Sequence, residues 1–489
     1  MVDRQSPVPL YYQLKQQLRR QIESGELHAG DRLPTEAEMC DIYAISRAPV
    51  RQALVELASE GLIYRRAGQG TFVSPHANAA LESTTHLRIL SHYDMRWMAS
   101  VEQATRAWNR QNPDQPVELE VTMCSYDDFH PTLRRSVAEG TAPDLAPLDV
   151  VWVADYAYAS FITPLSSLDA VWARAAMEAF EAPVVKNNCA GGNLYAVPVQ
   201  SDITGLWYRR DWLAEAGATV PTTWAEWLSL IDVFAQPEVR RRFGHEFSLV
   251  LPVTAAATEA TVNLLIPFIW MTGGDVLDSA GRLCLDCTAV REALGFLQKI
   301  TLERRYALPD MTGARVWDLA RYFAKGLVPM ALGGSYDWPR IQDECAWAET
   351  PEEAVSHLGF AMAPRPSVDC APISSLGGTS WAITRQSSHQ ELCLEILKLA
   401  SRPELSHPFC KENLQVSPLK SVNSDFMREG HPWLSTVTPL LRYARTRPSM
   451  RNYVQVSLYL QRMFELILWE GAPVEETVRH TAHSLELLI

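Results

Sequence analysis

No apolar run in this chain is long enough to cross a bilayer; the stretch from Leu264 to Met271 is too short. The start, Met1-Val-Asp-Arg-Gln-Ser-Pro, lacks a basic segment followed by an apolar one. A cytoplasmic protein with no membrane partner is therefore expected. A disulfide pattern is lacking: the nine cysteines, an odd number and scattered, suit a reducing compartment rather than a disulfide framework. There is no low-complexity tract. There is also no G-x-S-x-G, P-loop or H-E-x-x-H, and His245-Glu246 lacks a second histidine. Cys284-x-x-Cys287 stands alone in an alternating segment, so zinc is not expected. Neither a catalytic constellation nor a cofactor or metal is read from the chain, although scattered Asp and Glu leave a glycosidase-like pair open. Positive charge is in short supply too. Residues 1–75 carry nine Lys/Arg and nine Asp/Glu, and the remainder carries 35 against 48, which makes the whole net charge of −13. An acidic bulk will not hold nucleic acid nonspecifically, so any DNA contact must come from the N-terminal segment.

What is present begins with that segment. At about 100–200 residues per domain, 489 residues suggest two to four units. Leu10, Leu14, Leu18 and Ile22 recur every four residues, with Lys15, Arg19 and Arg20 on other faces, which predicts an amphipathic helix. Ser24-Gly25 ends it. Thr35 with Glu38 reads as a capping box, and Ser46 as the next N-cap. Pro49 then falls in a first helical turn, where a missing N–H costs little. Val50, Ala53, Leu54 and Leu57 form a buried stripe, while Arg47 and Arg51, four apart, share another face. After Gly61, Leu62-Ile-Tyr-Arg65-Arg66, the turn Ala67-Gly-Gln-Gly70 and Thr71-Phe-Val73 predict a two-stranded hairpin. Three helices and a hairpin make a winged helix-turn-helix. In that geometry the helix starting at Ser46 enters the major groove, where Arg47 can donate two hydrogen bonds to a guanine edge. Arg51, Thr35, Gln69, Gly70 and Thr71 are placed to hold phosphates or reach the minor groove. A small helical domain with a solvated arginine face is the bland alternative.

Tyr12-Gln-Leu14, Gly25-Glu-Leu, Gly30-Asp-Arg-Leu-Pro-Thr-Glu36, Ser46-Arg47, Val50-Arg-Gln-Ala-Leu54, Glu60-Gly-Leu62 and Gly68-Gln-Gly-Thr-Phe-Val73 resemble the GntR family of bacterial transcription regulators. The resemblance covers nearly all of residues 8–73. It implies DNA contacts at Arg32, Thr35, Glu36, Ser46, Arg47, Val50, Arg51, Gln69, Gly70 and Thr71. Ala48-Pro49 stands where the family usually has Thr or small polar residues, and Ala37 where some members carry Arg, so contacts at those positions are lost.

Residues 76–86 have no apolar period and read as a linker between a DNA-binding domain, 1–75, and an effector portion, 87–489. In the latter, Leu87-Arg-Ile-Leu90 suits a strand, a helix follows around Met98 to Gln111, and Val117-Glu-Leu-Glu-Val-Thr alternates as a strand. Such alternation through Asp149 to Trp152 predicts α/β layers. The last stretch, from Tyr453, reads as mostly helical.

Gly140-Thr-Ala-Pro-Asp144, Phe161-Ile-Thr-Pro-Leu165, Tyr195-Ala-Val-Pro, Leu206-Trp-Tyr-Arg-Arg-Asp211, Ala216-Gly217, Pro221-Thr-Thr-Trp224, Gly273-Gly274, Ala331-Leu-Gly-Gly-Ser-Tyr336 and Gly377-Gly-Thr379, in this order, resemble the sugar-type (family 1) extracellular solute-binding proteins. The resemblance implies a type II periplasmic-binding-protein-like fold, two α/β lobes with ligand between them. By analogy, lobe one is about 87–199 and 335–385, and lobe two about 200–334 and 386–489. Ligands of open α/β sheets bind beyond the carboxyl ends of strands. That rule selects Tyr93, Asp94, Trp97, Asp149 and Trp152. The resemblance adds Asp202 as an acidic sugar-binding position and Tyr336 as a stacking aromatic. Asp337 and Trp338 adjoin Tyr336, Trp270 precedes Gly273-Gly274, and Thr379 follows the paired glycines Gly377-Gly378. Aromatics stack on the C–H face of a sugar, and carboxylates bind its hydroxyls, although each Trp taken singly suits core packing as well.

The expectation is a transcription regulator whose affinity for operator DNA is set by a small solute, a sugar or oligosaccharide, through closure of the lobes, working as a homodimer on a palindromic site. A solute-binding or transport-associated protein with a non-functional DNA-binding segment is the alternative.

Overall fold

A computed structural model describes residues 10–66, 68–77, 84–92 and 96–488. It divides into two compact units: residues 1–146 with 386–400, and residues 147–385 with 401–489.

The first unit starts with helix α1, Leu10–Glu23. Leu14, Leu18 and Ile22 line its buried face, and Gly25, at φ +74°, turns the chain away. Helix α2, Glu36–Tyr43, opens on the expected reciprocal cap: Thr35 N–H donates to Glu38 Oε2 at 2.7 Å and Glu38 N–H to Thr35 Oγ1 at 3.2 Å. Ala44 in the left-handed region ends it after two turns. Helix α3 runs Arg47–Ser59 with Ser46 as N-cap in extended conformation, yet the Ser46 hydroxyl makes no capping bond. Pro49 is the third helical residue and has no N–H to give it. Val50, Ala53, Leu54 and Leu57 pack with Leu14, Leu18, Ile22, Met39 and Ile45 in one core. Strands β1, Ile63–Arg66, and β2, Gly70–Val73, close the wing in antiparallel register, Ile63 opposite Val73 and Arg66 opposite Gly70.

The same unit continues with β3, Thr85–His92, helix α4, Arg96–Gln111, β4, Val117–Cys124, and helix α5, Tyr126–Ala138. β3 and β4 pair in parallel along their whole length, Thr85 with Val117 through His92 with Cys124. The Asp144 carboxylate accepts the Arg88 N–H at 2.8 Å and the Ser387 hydroxyl at 2.6 Å, which ties in the returning segment whose helix Gln390–Ala400 packs on α4.

The second unit is built on β5, Ala196–Arg209. Tyr195 to Asp202 and Leu206 to Asp211 read as separate pieces in sequence, but β5 is one continuous strand, buried along nearly its whole length, and the expected lobe boundary at 199/200 falls inside it. Helix α6, Glu259–Met271, is buried on every side. Strand β6, Met330–Gly334, and strand β7, Leu358–Ala361, pair with the C-terminal half of β5. Strand β8, Ser374–Ile383, pairs antiparallel with its N-terminal half, with a bulge between Thr379 and Ser380. Gly378 sits at φ +139°, and a Cβ there would lie 2.4 Å from the Gln200 carbonyl oxygen, so only glycine allows this approach. Strand β9, Ala444–Thr446, adds in parallel to β8, and helix α7, Tyr453–Leu468, follows.

Candidate nucleic-acid interface and solute site

Arg47 and Arg51 are exposed one turn apart on α3, with Ser46 exposed at its start. Glu36, at the start of α2, accepts from Arg51 Nη2 at 3.4 Å and from Arg65 Nη2 at 3.2 Å. One carboxylate thus ties α2, α3 and β1 together and sets two guanidiniums side by side. A carboxylate repels phosphate, and the contacts shown for Glu36 are to these two arginines. Val50, expected among the DNA contacts, is wholly buried in the core, and its side chain holds α3 in place instead. That corrects the expectation: the helix turns Val50 inward while Arg47 and Arg51 turn outward. Arg32 is exposed, and its backbone bridges Phe72. Its Nε lies 3.0 Å from where a Cβ on Gly70 would stand, and Gly70 has φ +121°. Gln69 is exposed at the wing tip, and Thr71 faces Arg65 across the hairpin. Thr35 is exposed, with its hydroxyl oxygen used by the cap. Sequence alone assigns Arg65 and Arg66 no contact; Arg66 lies over the rings of Tyr64 and Phe72 at 5.3 and 5.6 Å. Arg65 comes beside Arg51 through the shared Glu36 carboxylate, a contact between α2, α3 and β1 that local sequence does not record.

The expected solute residues scatter more widely. Tyr93 and Asp94 lie outside the described residues. Trp97 belongs to the first unit and meets His92 edge-on at 3.7 Å. Asp149, Trp152, Asp202, Trp270, Tyr336, Asp337, Trp338 and Thr379 all belong to the second. There Trp338 is buried and stacked with Trp207 and Trp433, at 6.2 Å from the former and 5.5 Å from the latter, so it is a core residue. Trp270 is buried as well; its indole N–H donates to Asp275 at 3.0 Å and the Arg445 guanidinium covers its ring. For both, packing of a large aromatic won over display. Asp337 Oδ2 accepts the Gly334 N–H at 2.9 Å and shapes its own turn. Thr379 is buried at the β8 bulge, opposite Gln200, and Trp152 is buried beside Asp149.

Asp149 and Asp202 do converge, on a residue the sequence reading missed. Arg447 Nη2 is 3.6 Å from Asp149 Oδ1. A Cβ on Gly377 would lie 3.6 Å from Asp202 Cβ and 3.8 Å from both Asp202 Oδ2 and Arg447 Nη2, so Gly377 leaves open the space between Asp202 and Arg447. The Arg447 side chain, only 1 % exposed, also donates from Nη1 to Glu259 Oε1 at 2.5 Å. Glu259 accepts the Tyr453 hydroxyl at 2.7 Å and the Ser457 hydroxyl. Burial pushes the Glu259 carboxyl above its ordinary value, and Arg447 counters it. Burial also opposes the Arg447 charge, but Glu259, Tyr453 and Asp149 outweigh it and hold the guanidinium protonated. Tyr336 completes the group: burial pushes its phenol well up, with Asp337 and Asp202 adding to the shift, and Asn263 bonds it. Asn263 Oδ1 itself has no hydrogen-bond partner among the described residues. Carboxylates, an amide, a phenol and a guanidinium in a mostly buried group match the donors and acceptors of a hydroxyl rim. An open hollow of about 660 Å³ lies elsewhere in this unit, lined by Phe247, Asp310, Arg321 and Lys325 among others, and holds none of these residues.

Residues 95–405 match the family described as bacterial extracellular solute-binding protein, and residues 10–73 match bacterial regulatory proteins of the gntR family. The chain is 49 % identical over 85 residues to the HTH-type transcriptional repressor NagR of Bacillus subtilis, covering 17 % of this chain and 35 % of that one. It is 30 % identical over 174 residues to the histidine utilization repressor of Klebsiella aerogenes, covering 33 % of this chain and 72 % of that protein. Its fold matches a Thermotoga lettingae ABC transporter solute-binding protein bound with alpha-D-tagatose, with a TM-score of 0.70 at 19 % identity, over 82 % of this chain and 98 % of the other. It also matches maltose-bound MalE3 of T. maritima, with a TM-score of 0.69 at 23 % identity, over 83 % of this chain and all of the other.

Proposed function

This chain belongs to the bacterial extracellular solute-binding protein family and carries a gntR-family domain at its N-terminus, and from that premise we propose that it is a solute-responsive, DNA-binding transcription regulator. The observation that carries the reading is the union of the two in one chain: an exposed Arg47/Arg51 pair on α3, and a buried polar group around Arg447. The effector is a sugar or oligosaccharide, contacted by Asp149, Asp202 and Tyr336 with Asn263 and Arg447. Repressors among the relatives of the first domain, and sugars bound in structures that share the second fold, support both halves. The protein works in the cytoplasm, as a homodimer on a two-fold operator, because one small module buries too little DNA surface for a specific site. No described helix is long and apolar enough to cross a membrane.

Binding of solute and of operator is coupled, and coupling is reciprocal. Isothermal titration of a sugar panel, with and without DNA from upstream of the gene, tests this. Sugar affinity changes between the two series; equal affinity in both removes the regulatory link. A sugar response combined with no DNA binding leaves a solute-binding protein with an inactive N-terminal segment.

A further inference from the structure

Sequence places Lys15, Arg19 and Arg20 on faces of α1 other than its apolar one. The structure exposes Arg20 but buries the other two, with side chains 11 % and 4 % exposed. Lys15 pairs with Glu56 at 3.2 Å, in the last turns of α3, and with Glu60 at 2.5 Å, its C-cap residue. Arg19 reaches Glu60 at 3.6 Å, Glu23 at 2.7 Å and, in close contact, Glu118 of β4. Glu118 is itself 4 % exposed, and His86 stands 3.7 Å from it. On α4, burial and then Glu56 raise the Glu102 carboxyl. The face of α1 turned away from its own apolar core is thus a second packed face.

Its centre is Tyr12. Among the described strands β4 pairs only with β3, so its other edge offers unpaired backbone groups. The Tyr12 hydroxyl accepts the Val121 N–H at 3.1 Å and donates to the Leu119 carbonyl at 3.4 Å. A phenol both accepts and donates, so one side chain supplies what a neighbouring strand would have supplied. Residues 12 and 121 are 109 apart in sequence, and neither bond is a product of the segment that joins the two regions.

We propose that α1 and β4 form a fixed interdomain clamp, so that the DNA-reading helix α3 is carried by the β3–β4 sheet and oriented by it through these contacts. The Glu118–Arg19–Glu60 chain runs directly from strand to reading helix. Pulling β4 away strands buried charges, which makes the docked state all-or-none. This inference rests on the proposed DNA-reading role of α3 for its consequence; the clamp itself is a property of the chain without DNA.

Hydrogen exchange of the intact chain tests it, read at the Val121 amide. In the wild type that amide is protected. Tyr12→Phe speeds its exchange roughly two- to tenfold, the worth of one hydrogen bond, and Glu118→Gln, which leaves Arg19 buried without its partner, speeds it on the order of a hundredfold or more. Insertion of ten Gly/Ser residues between residues 78 and 83, outside β3 and the winged-domain core, leaves the rate unchanged. Val121 exchanging in the wild type as a free strand edge, or the insertion accelerating it as much as Tyr12→Phe does, overturns the clamp. Operator affinity of Tyr12→Phe is measured separately by fluorescence anisotropy. A chain that binds no DNA at all removes the proposed function, while the exchange rates still decide the clamp.

Discussion

Replacing Arg447 with methionine exposes how the solute-binding unit handles buried charge. The substitution keeps length and apolar volume but removes the guanidinium paired with Glu259 and Asp149. Arg447 is 1 % and Glu259 10 % exposed, so solvent screens little of the loss. Breaking a buried pair by removing one partner costs about 3–5 kcal/mol. The second unit has about 330 residues; at roughly 2.1 cal/mol/K per residue its unfolding entropy is about 0.7 kcal/mol/K, so the melting temperature falls by about 4–7 °C. Differential scanning calorimetry of the intact chain at pH 7 reads this as a shift of one transition. The double variant Arg447→Met/Glu259→Gln recovers at least half of the shift, because the stranded carboxylate is gone while the Tyr453 and Ser457 hydroxyls still find an amide. A drop below about 1 °C for the single variant, or a double variant no better than the single, refutes the reading of a charge network held by mutual pairing.

Three further outcomes follow from the geometry. Arg47→Ala loses about 1–3 kcal/mol of operator binding, roughly five- to 150-fold in Kd, and relaxes preference at one base pair, whereas Arg51→Ala weakens all sequences alike and lowers the salt slope by about one; anisotropy at several salt concentrations separates them. Gly70→Ala forces a Cβ into a φ of +121° beside Arg32; it destabilises the winged domain by about 1–3 kcal/mol in urea titration and weakens operator binding with it. Burial, with Arg134 adding, pushes the His130 imidazole down to about 4. Its folded value lies below its unfolded one, so its contribution is complete above about pH 6.5 and is lost as pH falls towards 4. Urea midpoints at pH 7 and pH 5 register that loss, and His130→Gln makes the fall smaller.

The winged domain was legible because its signals are local. The four-residue apolar repeat of α1, the Thr35–Glu38 cap, the stripe from Val50 to Leu57 and the glycine turn of the wing each arise from neighbours within one or two turns. Where local reading failed, a second local rule was at work: Ser46 is an N-cap by position, but Pro49 takes away the N–H that its hydroxyl needs. Val50 was counted twice, as core and as DNA contact, and the helix could grant only the first.

By itself the sequence determined that a DNA-binding type of helix pair precedes an α/β solute-binding type of fold, since periodicity, caps and ordered motifs are written in adjacent residues. Only the tertiary structure decided which tryptophans are core, that Ala196 to Arg209 is one strand, that Lys15 and Arg19 are buried, and that Arg447 gathers Asp149 and Glu259. A charged residue reads as solvent-facing until its partner is known. Here the partners lie 188 residues away for Arg447 and Glu259, a separation at which no pattern in the chain records the pairing.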